Sequence, residues 1–115
     1  MKIAAVRLFV EDLAAARSFY ADLLGLKPVS LDSSALLFDV GALLVVEPAD
    51  DEARAEGLVG RFAGLSLRVD DIEALHARLK SGGCTITGPP ERQAWGGTLM
   101  HVKDPSGNIV SFVQD

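Results

Sequence analysis

The sequence predicts an α+β fold made of two similar βαβββ modules in tandem, whose curved mixed sheets form a cleft and carry their helices outside. Three observations lead to this prediction. Each half of the chain opens with a strand-like run, at 4–10 and at 63–69. An acidic residue followed by a helix-like pattern comes next in both halves, at 14–24 and 73–80. Three further strand-like runs then follow each helix.

Each predicted helix has a clear beginning and end. Asp12 and Asp71 precede the two helices, where a carboxylate accepts hydrogen bonds from the first free N–H groups. Gly25 and Gly82 stand where helices commonly end. Apolar side chains recur at spacings of three and four, so each helix has one buried face. The residues predicted on these faces are Leu13, Ala16, Phe19, Tyr20, Leu23 and Leu24 in the first helix, and Ile72, Leu75 and Leu79 in the second.

The remaining strands are predicted at 27–31, 35–39 and 43–47 in the first half, and at 85–87, 98–103 and 109–113 in the second. A glycine- and proline-rich loop is expected at 88–97. The last two strands flank Asp104-Pro105-Ser106-Gly107-Asn108, which predicts a hairpin loop whose N–H groups the Asp104 side chain accepts. We divide the single domain, 1–115, into module one (1–48), a linker (49–60) with a helical turn, and module two (61–115).

Composition narrows the range of functions. The 115 residues carry a net charge of −5, which disfavours a general nucleic-acid-binding role because phosphate contacts need a basic surface. No apolar run reaches the ~20 residues of a membrane span, and the first residues lack the apolar core of a signal peptide. The single cysteine, Cys84, excludes an internal disulfide and favours the reducing cytoplasm.

Several motifs together resemble the vicinal oxygen chelate superfamily, which includes glyoxalases, bleomycin resistance proteins and extradiol dioxygenases. The resemblance spans essentially the whole chain. It implies paired βαβββ modules, usually a homodimer, and clefts lined by concave strand faces. The motifs that carry it are Val10-Glu11-Asp12-Leu13, Phe19-Tyr20, Leu24-Gly25-Leu26, Trp95-Gly96-Gly97 and Asp104-Pro105-Ser106-Gly107-Asn108.

The resemblance also places the metal ligands of metal-dependent members at four strand positions. Three of them are Ala5, Gly64 and Ser111 in this chain. Alanine and glycine have no donor atom, and a neutral hydroxyl is a poor ligand for a divalent metal. The fourth position falls near Val45, with Glu47 two residues further along the same face. We therefore expect no metal and no other cofactor.

Metal-free members of this superfamily are mostly binding proteins that sequester drugs such as bleomycin. Trp95-Gly96 resembles the Trp-Gly of those members, in which the tryptophan lines the drug groove. We therefore predict a non-catalytic binder of an antibiotic or aromatic metabolite. The alternative for Trp95 is a lid that packs on the last hairpin.

Other side chains are expected on the cleft face. Arg7 follows Ala5 by two residues and could hold an anionic or carbonyl group, or form a salt bridge with Glu47. His101 could contact the ligand, act as an acid or base, or simply be half-buried and hydrogen-bonded. The full set of predicted ligand-binding residues is Arg7, Phe9, Glu47, Ser66, Trp95, His101 and Ser111.

An enzyme is the rival hypothesis. A metal-dependent lyase, isomerase or dioxygenase could use a non-standard metal site built from Glu47 and His101. Two ligands rarely suffice to hold a divalent metal.

Overall fold

A computed structural model of the chain describes all residues, 1–115. It contains two four-stranded mixed sheets, with strand orders β1-β4-β3-β2 and β5-β8-β7-β6, which confirms the α+β class and the repeated βαβββ order. In each sheet the first strand pairs in parallel with the fourth, and the other pairs are antiparallel. The strands are β1 (Ala5–Val10), β2 (Lys27–Leu31), β3 (Leu36–Asp39), β4 (Leu43–Pro48), β5 (Phe62–Arg68), β6 (Thr85–Arg92), β7 (Thr98–Lys103) and β8 (Ile109–Gln114).

The helices begin where the acidic caps predict. The α-helices are α1 (Leu13–Arg17), α2 (Asp51–Ala55) in the linker, and α3 (Ile72–Ser81). Asp12 accepts from the Ala15 N–H at 3.0 Å, and Asp71 accepts from the Ala74 N–H at 3.0 Å. No helix of the chain has the length and apolar character needed to cross a membrane.

The first helix differs from the prediction in its winding. Only Leu13–Arg17 is α-helical, and Ser18–Leu23 continues as a π-helix. The wider turn is visible in the bond from the Leu24 N–H to the Phe19 carbonyl at 2.9 Å, which spans five residues instead of four. Apolar periodicity predicted the buried face, but it does not distinguish these two windings.

The second difference is in β6. A strand was expected only at 85–87, whereas β6 extends through Pro89 and Pro90 as far as Arg92. β6 is the outermost strand of its sheet, so a proline there need not donate to a further strand. Register shifts on both sides of Gly88 absorb the misfit with β7. The predicted loop at 88–97 is therefore reduced to a turn at 93–97.

A single cluster of 15 buried residues drawn from both modules forms the core between the helices and the sheets. In β1, Leu8 and Val10 are buried in this core, while Ala5 and Arg7 face the opposite, open side. The same alternation occurs along β5, where Phe62 and Ser66 are exposed. Each sheet therefore has one face packed on helices and one face left open within the chain.

A buried polar network joins the two modules. The Tyr20 hydroxyl donates to Asp104 Oδ2 at 2.8 Å, and the N–H groups of Ser106 and Asn108 donate to Asp104 Oδ1 at 2.9 Å. Burial and the neighbouring Asp104 carboxylate raise the pKa of Tyr20 far above its usual range, so the phenol stays a donor. The Asn108 side-chain amide donates to the Phe9 carbonyl at 2.8 Å. The Asp104 turn predicted from sequence thus also connects β1 and the first helix to module two.

Candidate functional site

Six of the seven predicted ligand-binding residues lie on strands at the open faces of the two sheets, and the seventh, Trp95, lies in a turn. The first face is defined by Ala5, Arg7, Phe9, Val45 and Glu47 of β1 and β4, which are paired by the register Arg7↔Val45 and Phe9↔Glu47. The second face is defined by Phe62, Gly64, Ser66, His101 and Ser111 of β5, β7 and β8, paired by Ser66↔Ser111 and His101↔Ser111. Strand alternation, which the sequence shows, is what sorts these residues onto one side of each sheet.

On the first face, Arg7 and Glu47 form a bidentate ion pair. Arg7 Nε and Nη2 donate to Glu47 Oε2 and Oε1, each at 2.8 Å. The guanidinium carbon also lies 5.2 Å from the centre of the Phe9 ring. The hydrogen bond and the charge of Glu47 raise the pKa of Arg7. The predicted salt bridge between Arg7 and Glu47 is therefore present, and it restrains the plane of the guanidinium. The other predicted role of Arg7, as an anchor for an anionic or carbonyl group, stays a prediction.

On the second face, His101 and Ser111 form a hydrogen-bonded pair. His101 Nδ1 lies 2.7 Å from Ser111 Oγ, and either atom can be the donor, depending on the histidine tautomer. Ser111 is only 1% exposed, whereas His101 is half-buried. The Phe62 ring meets the imidazole edge-on, with the ring centres 6.3 Å apart. One edge of the His101 imidazole is therefore accessible at the second face, and the Ser111 hydroxyl lies buried beneath the ring.

Gly88 of β6 makes room for the histidine. A Cβ at this position would lie 3.0 Å from His101 Cδ2, so a larger residue would push the ring aside. Sequence reasoning placed Gly88 in a loop and gave it no role. Its strand partner, His101, becomes evident only from the register of β6 and β7.

The residues at the family's metal-ligand positions do not fit a divalent metal. Ala5 and Gly64 supply no donor, and the Ser111 hydroxyl is already bonded to His101. The backbone differs as well, because Gly64 has φ +72° and lies where the register of β5 against β8 shifts. Both Glu47 oxygens accept hydrogen bonds from Arg7. No group of three or more His, Cys, Asp or Glu side chains that could hold a metal occurs in the chain.

Trp95 lies in the turn between β6 and β7. The turn is closed by Gln93 and Gly97, with the Gln93 N–H donating to the Gly97 carbonyl at 2.7 Å. The indole covers Gly97 so closely that a Cβ there would lie 1.9 Å from its Cζ3 atom. Trp95 is nevertheless 61% exposed. It therefore packs on its own turn while most of the indole surface remains accessible.

Within one chain, the two faces do not form the principal cavities. Cavities of about 690 Å³ and 600 Å³ both lie on the helix side. The larger lies between the modules against Leu26, Leu67 and Leu75, and the smaller lies beside Phe19 and Asp104. Neither cavity is lined by any of the seven predicted ligand-binding residues. Sequence reasoning did not anticipate these cavities, because they form where separate elements meet.

Comparison with known proteins gives a consistent result. Residues 2–112 match the family model described as the glyoxalase/bleomycin resistance protein/dioxygenase superfamily. The uncharacterised protein YraH of Bacillus subtilis (strain 168) is 28% identical over 125 residues, which cover 97% of each chain.

Two solved structures have the same fold along the whole chain. A member of this superfamily from Sphaerobacter thermophilus DSM 20745 has a TM-score of 0.78 and 28% identity, covering 100% of this chain and 98% of that one. A glyoxalase-related enzyme from Fulvimarina pelagi has a TM-score of 0.80 and 23% identity, covering 100% of this chain and 88% of that one. With the family match over almost all its residues, the chain belongs to the glyoxalase/bleomycin resistance protein/dioxygenase superfamily.

Proposed function

We propose that this protein is a metal-independent small-molecule-binding protein that sequesters an antibiotic or an aromatic metabolite. The observation that carries the proposal is the loss of metal-ligand chemistry at Ala5, Gly64 and Ser111 in a chain that keeps the family fold. The open faces retain what a binding site needs, since they combine apolar side chains with a few placed polar groups. A single cysteine is consistent with action in the cytoplasm.

The site is proposed to form between two copies of the chain, with the first face of one copy opposite the second face of the other. Phe62 is 61% exposed in the single chain, although it is a large apolar residue on a sheet face. Half-buried Phe9 and Val45 extend the apolar surface on the other sheet. A second copy would bury this surface, and the enclosed space would contain the polar pairs Arg7–Glu47 and His101–Ser111.

Binding would be driven mainly by apolar burial. Each Å² of apolar surface removed from water contributes about 25 cal/mol, less the cost of ordering the ligand. Trp95 is 61% exposed in the turn between β6 and β7, and its indole already packs on Gly97. It therefore supplies flat apolar area at little additional entropy cost.

The proposal is tested by titrating the metal-stripped protein with a panel of aromatic metabolites and antibiotics while following Trp95 fluorescence. A ligand should change the emission, and Trp95→Ala should weaken its binding, measured by calorimetry, by about 1–3 kcal/mol. Val29→Ala is the matched control, because Val29 is also 61% exposed but lies on β2. Equal affinity in Trp95→Ala would remove Trp95 from the site.

Metal titrations in the same experiment separate the binding protein from the enzyme. A metal present at about 100 times its Kd should stabilise the fold by about 2.7 kcal/mol, which is visible as a higher Tm. We expect no such shift with Ni²⁺, Zn²⁺, Mn²⁺ or Fe²⁺. A shift that disappears in Glu47→Ala or His101→Ala would contradict the proposal and favour a metal-dependent lyase, isomerase or dioxygenase.

A further inference from the structure

The Arg7 guanidinium has an unused binding edge. A guanidinium carries five N–H donors in a planar fork. Glu47 takes one from Nε and one from Nη2. The remaining three are both N–H groups of Nη1 and the second one of Nη2, and no protein group accepts them. These atoms form a second fork, with the geometry that matches the two oxygens of a carboxylate.

This second fork is both accessible and fixed in orientation. The Arg7 side chain is 60% exposed, whereas that of Glu47 is 21% exposed. The bidentate bonds to Glu47 and the contact with the Phe9 ring restrain the guanidinium plane before any ligand arrives. A preorganised donor pair loses little side-chain freedom on binding. The ion pair therefore fixes the orientation of the free Arg7 donors before a ligand binds to them.

The charges indicate the kind of group that fits. A cationic ligand at this point would have to displace Arg7, because both Glu47 oxygens already accept from it. A ligand acceptor needs no displacement, since it meets the free edge of Arg7 directly. Phe9 and Val45 supply apolar surface next to that edge, so an aromatic ring attached to the acceptor would be covered. A carboxylate uses both donors of the fork, whereas a neutral amide uses its one oxygen.

We infer that the ligand of this protein is an aromatic carboxylate, whose carboxylate binds the Nη1–Nη2 edge of Arg7 and whose ring packs on the first face. This inference rests on the proposed binding function and specifies its ligand class. Glu47 is a positioning residue, because it orients Arg7 and does not itself contact the carboxylate.

The test compares benzoate, benzamide and acetate by calorimetry at constant ionic strength. Benzoate should bind about tenfold more tightly than benzamide, which has the same ring but no charge. It should also bind more tightly than acetate, which has the carboxylate but no ring. Arg7→Lys keeps the charge and removes the fork, so the preference for benzoate over benzamide should shrink, whereas Arg7→Gln removes both and should abolish the preference.

Arg54→Lys is the matched control, since Arg54 is also ion-paired, with Glu11 at 3.0 Å, but lies on α2. It should leave benzoate affinity unchanged. Equal affinity for benzoate and benzamide, or a preference that survives in Arg7→Gln, overturns the inference. If neither compound binds but neutral aromatic compounds still quench Trp95, the inference falls and the proposed function stands. If no compound binds, both fall.

Discussion

Gly64 shows at the scale of one residue why the metal position is lost in the backbone as well as in the side chain. Its φ of +72° lies in the left-handed region, where side chains with a Cβ are strained. No heavy atom stands within 4 Å of the place where a Cβ would lie, so crowding adds nothing to that strain. A histidine introduced here would inherit the strain. A ligand side chain at Gly64 would therefore carry a backbone cost that one at Ala5 or Ser111 would not, since neither of those residues has a positive φ.

We predict that Gly64→Ala lowers the free energy of unfolding by about 1–2 kcal/mol, because only backbone strain opposes the methyl group. Urea unfolding measures this change. Gly57→Ala calibrates it, since Gly57 has φ +69° and equally open surroundings. A substitution that costs nothing at Gly64, but costs the expected amount at Gly57, would show that the β5 bulge is not held in this conformation.

At the scale of helices and strands, the sequence predicted what short-range pattern encodes. Asp12 and Asp71 mark the helix starts because a cap acts on N–H groups only three residues away. The extension of β6 to Arg92 was missed because glycine and prolines normally interrupt strands, and only the edge position of β6 permits them. The contact between His101 and Gly88 was not predicted, because it depends on the register between β6 and β7.

The open face of β5 also carries a prediction. Phe62→Asp should convert the proposed dimer into a monomer, because the substitution places a charge in apolar surface that a second copy would bury. Sedimentation velocity measures the change, and the folded monomer should keep its Tm, since Phe62 is 61% exposed within the chain. Val29→Asp, at an equally exposed apolar residue on β2, should leave the dimer intact. A monomeric unmodified protein would contradict the shared site.

At the scale of the whole molecule, the two modules depend on a polar connection that sequence reasoning recognised only in part. The Asp104 turn was predicted, but its bond to Tyr20 joins residues 84 positions apart. No local pattern predicts a contact at that separation. Strand period places six of the seven predicted site residues on the two open faces, and their role in binding stays a prediction.

Asn108→Ala should lower the free energy of unfolding by about 3 kcal/mol, because it leaves the Phe9 carbonyl of module one and the Gly60 N–H of the linker without their side-chain partner. Asn108 is fully buried, donates to the Phe9 carbonyl, and accepts from the Gly60 N–H at 2.9 Å. Urea unfolding again measures the loss. Gln93→Ala is the control, since the Gln93 side chain bonds only to the nearby Glu91 carbonyl and its loss should cost much less. A loss no larger than that of Gln93→Ala would show that Asn108 does not hold the modules together.

The π-helical turn at Ser18–Leu23 is a point at which the two halves of the chain differ in structure. From Asp12 to the left-handed Gly25 the chain advances 13 positions, but from Asp71 to the left-handed Gly83 it advances 12. The extra residue is taken up inside the helix, as the bond from Leu24 to Phe19 shows, and not in a loop. Tyr20, which makes a buried bond to Asp104, lies within that turn, whereas α3 bonds back to module one through the exposed Arg78 guanidinium, which donates to the Leu23 carbonyl. The two halves are therefore not interchangeable, because the helix of the first reaches the other module through a buried phenol and the helix of the second does so through an exposed guanidinium.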